Sequence, residues 1–584
     1  MPSSPKIEYK FSNFRLLPND KQLLLNDTPV PLAPKAFDTL CLLVESQGRL
    51  VEKNEFLERV WQGSFVEEVV LAHAISQLRK ALQNGAEETD FIETVPKRGY
   101  RFRARVELIA AEGSEVSSRT TLAVLPFENL SADPEREYLA MGLTEEAIVA
   151  LGQIDPDHLG VIGRTSAMVY KGTTKSLAEI GRDLGADFLV EGSIRSEGSR
   201  LRITSRLVRA RDQIQMWSDS YDSEPGNVIE FQRELSVAIA EQVHLRLSPE
   251  RLRGLARRQT RHGEAYDVYL RGRYFWNQLS PPTTRRALQF YARATELDPN
   301  YALAWCGLAD AYATSPINGD ANPLEVGPRS REAAQRAVSA GSHLGEAHAS
   351  TGFVKFWLDW DWPAAERAFR RAIALDPNYS LAHRSLGIIL SHSNRHQEAL
   401  SAARRARELD PLDFINQALS AQIAFNARDF QAAMEFGRRA TVLDPEFWVS
   451  YIQLAQAYEQ LGDSDAAFEA LQKAGQFSSG NSKSIAMRGY LFAKLGRTGE
   501  ALEVLKTLEA VSRERYVPPY ATALVHAGLG EADAAFEWLE RAFDARDVHL
   551  AFLPVDPKWD PLRADSRFRE LISRAFGDGV AADR

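Results

Sequence analysis

Two strings of the sequence decide the fold of its amino-terminal region. Residues 72–82 read AHAISQLRKAL, and residues 91–103 read FIETVPKRGYRFR. Around the first string, Leu71, Ile75 and Leu78 recur at helical spacing, which predicts a helix with one buried face. The second string alternates apolar and polar residues on both sides of Pro-Lys-Arg-Gly, which predicts two strands joined by a tight turn. The sequence therefore predicts a helix followed by a hairpin with a basic tip.

The outward face of this helix is polar. If its apolar stripe packs inward, spacings of three and four residues bring together His73, Ser76, Gln77 and Lys80. Imidazole, hydroxyl and amide groups suit the edges of bases in a DNA groove, and an ammonium group suits a phosphate. We interpret Gly99 as the residue that permits the bend of the hairpin. Helix and hairpin together predict a DNA-binding surface.

The candidate DNA-binding residues are side chains of the helix and the hairpin: His73, Ser76, Gln77, Arg79, Lys80, Lys97, Arg98 and Tyr100. Two of them have a second interpretation. His73 taken alone also fits a solvated surface histidine, and Arg79 also fits a structural residue that pairs with acidic neighbours. The order and spacing of helix and hairpin favour DNA binding for the set as a whole.

Residues 9–106 resemble the OmpR/PhoB-type winged-helix DNA-binding domain, in the branch that contains the CadC, ToxR and HilA regulators. Both quoted strings match that branch in order and distance. The resemblance implies an amino-terminal four-stranded sheet, the helix from about 69 to 83 in the major groove and the hairpin in a neighbouring minor groove. It also implies that residues 62–69 form the loop that meets RNA polymerase. His73 departs from the polar pair common in the branch, which leaves the recognised bases open.

Charge is unevenly distributed along the 584 residues, whose formal net charge is -9. Residues 1–105 hold 15 Lys and Arg against 14 Asp and Glu, so the remainder carries -10. This distribution excludes coating of nucleic acid by bulk charge and leaves room for a local basic face. One such domain is expected to bind weakly, so we expect a homodimer or tandem sites.

Several classes of protein are disfavoured by the composition. Cys41 and Cys306 are the only cysteines, too few for a disulfide framework. The sequence has no signal-peptide pattern and no apolar run of about 18 residues, so we expect a cytoplasmic protein without a membrane span. No zinc, dinucleotide, kinase or nucleophile-elbow motif occurs, which predicts a protein that is not an enzyme and needs no cofactor or metal. His392 and His396 are expected to be a surface pair.

The middle of the chain, residues 121–250, mixes strand-like and helical stretches and predicts a small α/β domain. It resembles the TolB amino-terminal or FlgO-like domain, and the polar stretch 107–120 before it is expected to be a linker. Residues 163–166, Gly-Arg-Thr-Ser, could cradle a phosphate, but without the ending of a P-loop a structural turn is favoured. Glu145 and Glu146 are read as acids at the start of a helix.

The last zone repeats. Leu-Asp-Pro occurs at 297–299, 375–377, 409–411 and 443–445, and the last three copies are 34 residues apart. That period is typical of the tetratricopeptide repeat, a pair of antiparallel helices. We expect roughly eight helix pairs over 263–547, with an insertion around 316–326, and a carboxyl-terminal capping helix and tail over 548–584.

The tryptophans of this zone, Trp357, Trp360 and Trp362, have two interpretations. The first is packing within the repeats, and the second is an anchor for a peptide on the concave face.

The sequence thus predicts a multidomain α+β protein, with a winged helix-turn-helix domain (7–106), a small α/β domain and an all-α tetratricopeptide-repeat solenoid. The functional hypothesis is a regulator that reads double-stranded promoter DNA and uses its repeats for signal transduction or for a protein or peptide partner. The alternative is a repeat-protein adaptor whose winged helix mediates protein contacts. An enzyme built around the α/β domain is a weaker third hypothesis.

Overall fold

The computed structural model divides the chain into two compact units, Met1–Ser117 and Ser118–Arg584. The described residues are 7–17, 22–25, 28–30, 32–46, 49–60, 68–82, 91–96, 98–104, 106–110, 119–131, 133, 136–197, 200–223, 228–243, 260 and 262–577.

The first unit combines two antiparallel sheets with three helices. Its elements are β1 (Ile7–Phe11), β2 (Phe14–Leu17), β3 (Gln22–Leu25), β4 (Thr28–Val30), α1 (Pro34–Glu45), β5 (Leu50–Glu52), α2 (Lys53–Val60), α3 (Glu68–Leu82), β6 (Ile92–Val95), β7 (Gly99–Phe102) and β8 (Glu107–Ala110). The strand orders are β4-β3-β2-β1-β8 and β5-β7-β6. The implied four-stranded sheet therefore has a fifth strand, because β8 pairs with β1. The first four residues of the predicted linker 107–120 belong to this sheet.

Aromatic side chains join the two sheets of the first unit. The ring of Phe11 lies 5.0 Å from that of Phe102 and 5.9 Å from that of Phe91, both edge-on. Phe14 is fully buried beside them. Such aromatic pairs contribute about 0.5–1.5 kcal/mol beyond the area that they bury. The hairpin β6–β7 is thereby held against the amino-terminal sheet.

The middle domain opens the second unit with a mixed sheet and four helices. Its elements are β9 (Thr120–Val124), β10 (Glu128–Asn129), α4 (Glu137–Gly152), β11 (Leu159–Val161), α5 (Arg164–Met168), α6 (Leu177–Leu184), β12 (Phe188–Glu197), β13 (Arg200–Arg209), β14 (Ile214–Ser223) and α7 (Val228–Gln242). The sheet runs β11-β9-β12-β13-β14, and β10 pairs with β12. The α/β prediction is confirmed.

The interpretation of Glu145 as a helix-start acid is wrong. Helix α4 begins at Glu137, eight residues earlier, so Glu145 lies in its interior. Its carboxylate accepts a hydrogen bond from Arg273 and lies 3.4 Å from Nε of Arg164. Both arginines come from other elements, and this long-range ion cluster gives no local sequence signal.

The rest of the second unit is a helical solenoid that begins at Gly263 and runs to Asp544. Residues 262–577 are described without a gap, and they contain eight helix pairs in this span. The pairs are Gly263–Trp276 with Pro281–Leu297, Ala302–Gly319 with Pro323–Gly341, Gly345–Phe353 with Trp362–Leu375, Ser380–His392 with His396–Leu409, Phe414–Asn426 with Phe430–Leu443, Trp448–Leu461 with Ser464–Phe477, Ser482–Lys494 with Thr498–Ser512, and Pro519–Leu529 with Ala532–Asp544. The repeat prediction is confirmed.

The insertion expected around 316–326 does not form a separate loop. The two helices of the second pair are 18 and 19 residues long, whereas the helices of the fourth pair have 13 and 14. Pro316 lies inside the first of these long helices. The extra residues therefore lengthen one helix pair and keep the stack continuous.

The carboxyl-terminal segment lies inside the solenoid. It consists of two 3₁₀ helices, Val548–Phe552 and Pro557–Leu562, and the predicted capping helix, Ser566–Phe576. Trp559 is fully buried, and its indole N–H donates to the hydroxyl of Tyr520 at 2.7 Å. The first 3₁₀ helix packs with Ile317 of the second pair. The segment also contacts the first helices of other pairs, through Phe552 beside His392 and Lys558 beside Gln456.

The three tryptophans pack against this same part of the chain. Trp362 stacks on Phe576 with ring centroids 4.4 Å apart, and Trp360 lies 5.6 Å from that ring. Trp357 lies 6.3 Å from Phe552. The packing interpretation is therefore the one that the structure favours.

The prediction that His392 and His396 form a surface pair is wrong for His392. His392 is 1% exposed, and its Nδ1–H donates to the carbonyl of Ile388 at 2.7 Å. Its ring lies 5.3 Å from Phe356 and 5.0 Å from Phe552. Burial lowers the pKa of His392 to about 4, so it is a neutral packing residue.

Among the described residues, no helix combines the length and apolar character that a membrane crossing requires.

Candidate nucleic-acid interface

Helix α3 presents one buried and one exposed face. Leu71, Ile75 and Leu78 are at most 1% exposed and belong to the core of the first unit. The side chains on the opposite face are exposed: His73, Ser76, Gln77 and Lys80. The structure therefore brings four of the predicted site residues together on two successive turns, as the 3.6-residue period requires.

Two of these residues interact with each other. Nε2 of Gln77 lies 3.1 Å from Nε2 of His73, one helical turn away. Val70 is 41% exposed on the turn before His73, at a spacing that places it on the same side of the helix. Sequence reasoning missed Val70, although an apolar residue outside the buried stripe was the available signal. An exposed valine suits the methyl group of thymine.

Arg79 joins α3 to the hairpin. Its Nη2 donates to the carbonyl of Ile92 at 2.6 Å and to Oγ1 of Thr94 at 2.8 Å. Both acceptors lie on β6. Arg79 therefore has a structural role, but these two partners are a backbone carbonyl and a threonine hydroxyl, whereas acidic partners were expected. The bonds fix the position of the hairpin relative to the exposed face of α3.

Gly99 and Tyr100 have roles that differ from their sequence interpretations. Gly99 is absent from the glycines with positive φ, and a Cβ atom there would collide with the carbonyl oxygen of Val51. A glycine is needed because β7 approaches β5 closely, and the bend does not depend on it. Tyr100 is 9% exposed, with its ring edge-on to Phe56 at 6.0 Å. Its position is that of a core residue, and it does not support the predicted DNA contact.

The charges of the hairpin are partly neutralised. Oε2 of Glu93 lies 3.5 Å from Arg101 and 3.4 Å from Arg103. Arg98 is exposed and lies 4.0 Å from Glu52, the limit for an ion pair. Lys80 has no ion pair with a described residue, which leaves it and Arg98 as the most available cations near α3.

Two predicted features lie outside the described residues. Lys97, predicted for the tip of the hairpin, is one of them, and so are residues 62–67 of the loop expected to meet RNA polymerase, 62–69.

Family models match three parts of the chain. Residues 27–102 match the model described as transcriptional regulatory protein, C terminal, and residues 117–238 match the second domain of HilA/YgeH-like transcriptional regulators. Residues 361–414 and 449–474 match tetratricopeptide repeats. The chain therefore combines a winged-helix domain of the OmpR/PhoB type, a HilA-like second domain and tetratricopeptide repeats.

Curated relatives show the same combination in part. Transcriptional regulator HilA of Salmonella typhimurium is 24% identical over 374 residues, which cover 63% of this chain and 65% of the relative. Putative adenylate cyclase 3 of Rhizobium meliloti is 29% identical over 260 residues, 44% of each protein. Transcriptional activator CadC of Escherichia coli is 32% identical over 99 residues, 17% of this chain and 19% of CadC. The aligned regions span less than two thirds of each of these relatives.

Solved structures are similar to separate parts of the chain. The DNA-binding domain of Escherichia coli CadC is 28% identical and covers 18% of this chain and 100% of that one, with a TM-score of 0.17. PilW, a type IV pilus biogenesis factor, is 17% identical and covers 36% of this chain and 92% of that one, with a TM-score of 0.29.

Proposed function

We propose that this protein is a transcriptional regulator that binds promoter DNA through α3 and the hairpin β6–β7. The observation that carries the proposal is the exposed stripe of polar side chains on α3, with the hairpin tied beside it by Arg79. The match of residues 27–102 to transcriptional regulatory proteins supports the same function.

The proposal assigns distinct roles to the exposed residues. Helix α3 enters the major groove, where Ser76 and Gln77 bind base edges and His73 lies beside them. Lys80 and Arg98 bind phosphates, as does Lys97 at the tip of the hairpin. The number of available cations is small, so non-specific affinity is modest and specificity depends on the base contacts.

The remaining parts of the proposal concern partners. We propose that the repeat solenoid receives a signal or a protein partner, and that residues 62–69 meet RNA polymerase. A homodimer, or tandem sites on the promoter, strengthens binding by the single winged helix. The protein acts in the cytoplasm and without catalysis of its own.

The proposal is tested by the salt dependence of DNA binding. Fluorescence anisotropy of the full chain with fragments of its own promoter region should show binding at low salt that weakens as salt rises. Replacing Lys80 by Ala should reduce the slope of log affinity against log salt by about one unit, for all sequences alike. Lys10→Ala, an exposed lysine of β1 outside α3 and the hairpin, should leave the slope unchanged. Absence of binding at low salt, or equal slopes for both variants, contradicts the proposal.

A further inference from the structure

The second unit contains a half-open cavity of about 980 Å³. It lies between α4 of the middle domain and the first helices of the repeats, and large rings form much of its wall: Trp276, Phe356, Trp357, Trp448 and Phe552. Small-molecule sites in proteins are usually concave, about 300–1,000 Å³ in volume and lined by apolar and aromatic side chains with a few polar groups. The cavity has the size and the lining of such a site.

A peptide is a poor fit for this space. Repeat solenoids use their concave face for binding, but here the carboxyl-terminal segment packs on the first helices of several repeat pairs. The two 3₁₀ helices Val548–Phe552 and Pro557–Leu562 lie there, and Lys558 donates to Gln456 at 3.2 Å. Phe552 is both part of this segment and a wall of the cavity. What remains beside this segment is a half-open cavity of a size that suits a compact molecule.

The cavity contains one unusual cation, Lys483. It is the second residue of the helix Ser482–Lys494, and its Nζ lies over the ring of Phe552 at 5.1 Å. Among the described residues, no hydrogen bond or ion pair reaches this ammonium group. The neighbouring carboxylates are already engaged, because Asp556 pairs with Lys558 at 2.7 Å and Asp320 pairs with Arg515 at 2.9 Å.

Three arginines of the cavity wall differ from Lys483 because each has a carboxylate partner within the protein. Arg384 lies 2.9 Å from a carboxylate oxygen of Asp413. Arg273 donates to Glu145, and Arg515 is paired as described. Their charges are therefore balanced inside the protein. Lys483 is a partly buried cation with which no described carboxylate forms an ion pair.

The surroundings of Lys483 disfavour the charged form of its ammonium group. Burial, together with the nearby Lys558, lowers the pKa of Lys483 to about 8, so the side chain is still mostly protonated at neutral pH. A partly buried charge without an ion-pair partner is disfavoured unless an opposite charge approaches it. A bound anion would supply that charge, and the aromatic wall would take up the apolar part of the same molecule.

We propose that this cavity binds a small organic anion, with its hydrophobic body among the aromatic side chains and its acidic group against Lys483. The inference goes beyond DNA binding and does not depend on it. Such a ligand would supply the solenoid with a chemical signal, because it would contact both the repeats at Lys483 and the carboxyl-terminal segment at Phe552.

A pair of fluorescent probes tests the charge and the cavity separately. 8-Anilinonaphthalene-1-sulfonate is a compact aromatic anion, and N-phenyl-1-naphthylamine has the same aromatic body without the charge. Titrated into the full chain, the sulfonate should saturate at one site. Replacing Lys483 by Met should weaken its binding at least tenfold and leave the neutral probe nearly unchanged. Lys506→Met is the matched control, because Lys506 is 69% exposed and pairs with Glu503.

A second measurement separates lost binding from lost folding. Removing a partly buried charge that has no ion-pair partner should leave the melting temperature of Lys483→Met unchanged or raise it. If that variant does not fold, Lys483→Arg keeps the charge and should keep sulfonate binding within about threefold, whereas Lys483→Gln should lose it. Non-saturable binding of the sulfonate, or equal binding by wild type and the neutral variants, overturns the proposal. The titration contains no DNA, so its failure leaves the proposed DNA binding untouched.

Discussion

The exposed face of α3 and the turn at residues 163–166 make an instructive comparison, because the sequence offers both as places for an anionic partner. On α3 the polar groups of Ser76, Gln77 and Lys80 are exposed. At the turn, the backbone N–H groups of Thr165 and Ser166 are occupied by a carboxylate of the same chain, that of Asp410. The difference shows that a local pattern of donors is exposed to solvent in one fold context and occupied by the chain itself in another.

The carboxylate of Asp410 occupies the hydrogen-bond donors of the turn at residues 163–166. Oδ1 of Asp410 accepts from the N–H of Ser166 at 2.7 Å and from its hydroxyl, and Oδ2 accepts from the N–H of Thr165 at 3.3 Å. The N–H of Gly163 donates to the carbonyl of Leu409 at 2.8 Å. A Cβ atom at Gly163 would overlap the carboxylate. The glycine and hydroxyl that suggest a phosphate turn therefore dock the middle domain on the repeats.

The largest expected effect comes from breaking the scaffold of the exposed face. In Gly99→Val the new side chain would meet the carbonyl of Val51, a backbone atom that cannot move aside cheaply. We expect the first unit to lose about 4 kcal/mol or more of its free energy of unfolding and, with it, DNA binding. Circular dichroism and thermal unfolding of the full chain check this.

The control for Gly99 is Gly475, which has open space around it on the helix Ser464–Phe477. Gly475→Val should change the free energy of unfolding by less than about 1 kcal/mol, since valine is tolerated in an exposed helix. Two variants of equal stability would show that the packing of β7 on β5 is not what supports the exposed face.

A smaller loss of stability is expected when the carboxylate of Asp410 is removed from the turn at residues 163–166. Asp410→Ala leaves the buried donors of Ser166 without an acceptor, which should cost about 2 kcal/mol of the free energy of unfolding of the second unit. The cost is moderated because burial and the nearby Asp413 raise the pKa of Asp410 to about 7, so removing this carboxylate also relieves an unfavourable charge.

The repeat supplies a matched control for Asp410. Asp444 is the aspartate of the next Leu-Asp-Pro, and its carboxylate accepts from the N–H groups of its own loop, Glu446 at 2.9 Å and Phe447 at 3.1 Å. Asp444→Ala should therefore cost less than Asp410→Ala. Hydrogen exchange at residues 163–168 should rise in the Asp410 variant alone. Equal exchange in both variants contradicts the docking role.

The periodic parts of the molecule could be predicted from the sequence. Two such features are the buried stripe Leu71, Ile75 and Leu78 and the 34-residue period. Each depends on residues within a few helical turns, so the local sequence is enough to predict it. The exposed residues of α3 follow from the same period. These features were predicted with the correct faces.

The remaining features depend on residues far apart in the chain. Strand β8 pairs with β1 across the whole first unit, and four residues give too short a pattern to predict a strand. Glu145 meets Arg273 through the docking of two domains, and Asp410 meets Ser166 in the same way. Tyr100 lies in a strand where apolar and polar residues alternate. Which side of that hairpin is buried depends on Phe56, which packs on Tyr100 from another element. Local patterns cannot specify such partners.

The central claim is that the uncommitted face of α3 reads DNA sequence, and sequencing of the DNA bound by the full chain tests it most directly. Genomic fragments retained by the wild-type protein and by Gln77→Ala should be compared at moderate salt. We expect a small set of discrete sites for the wild type, with a changed or relaxed preference at one base position in the variant, because a lost bidentate contact costs about 1–3 kcal/mol of discrimination. Fragments no different from random DNA, or identical site sets for both proteins, would contradict the account.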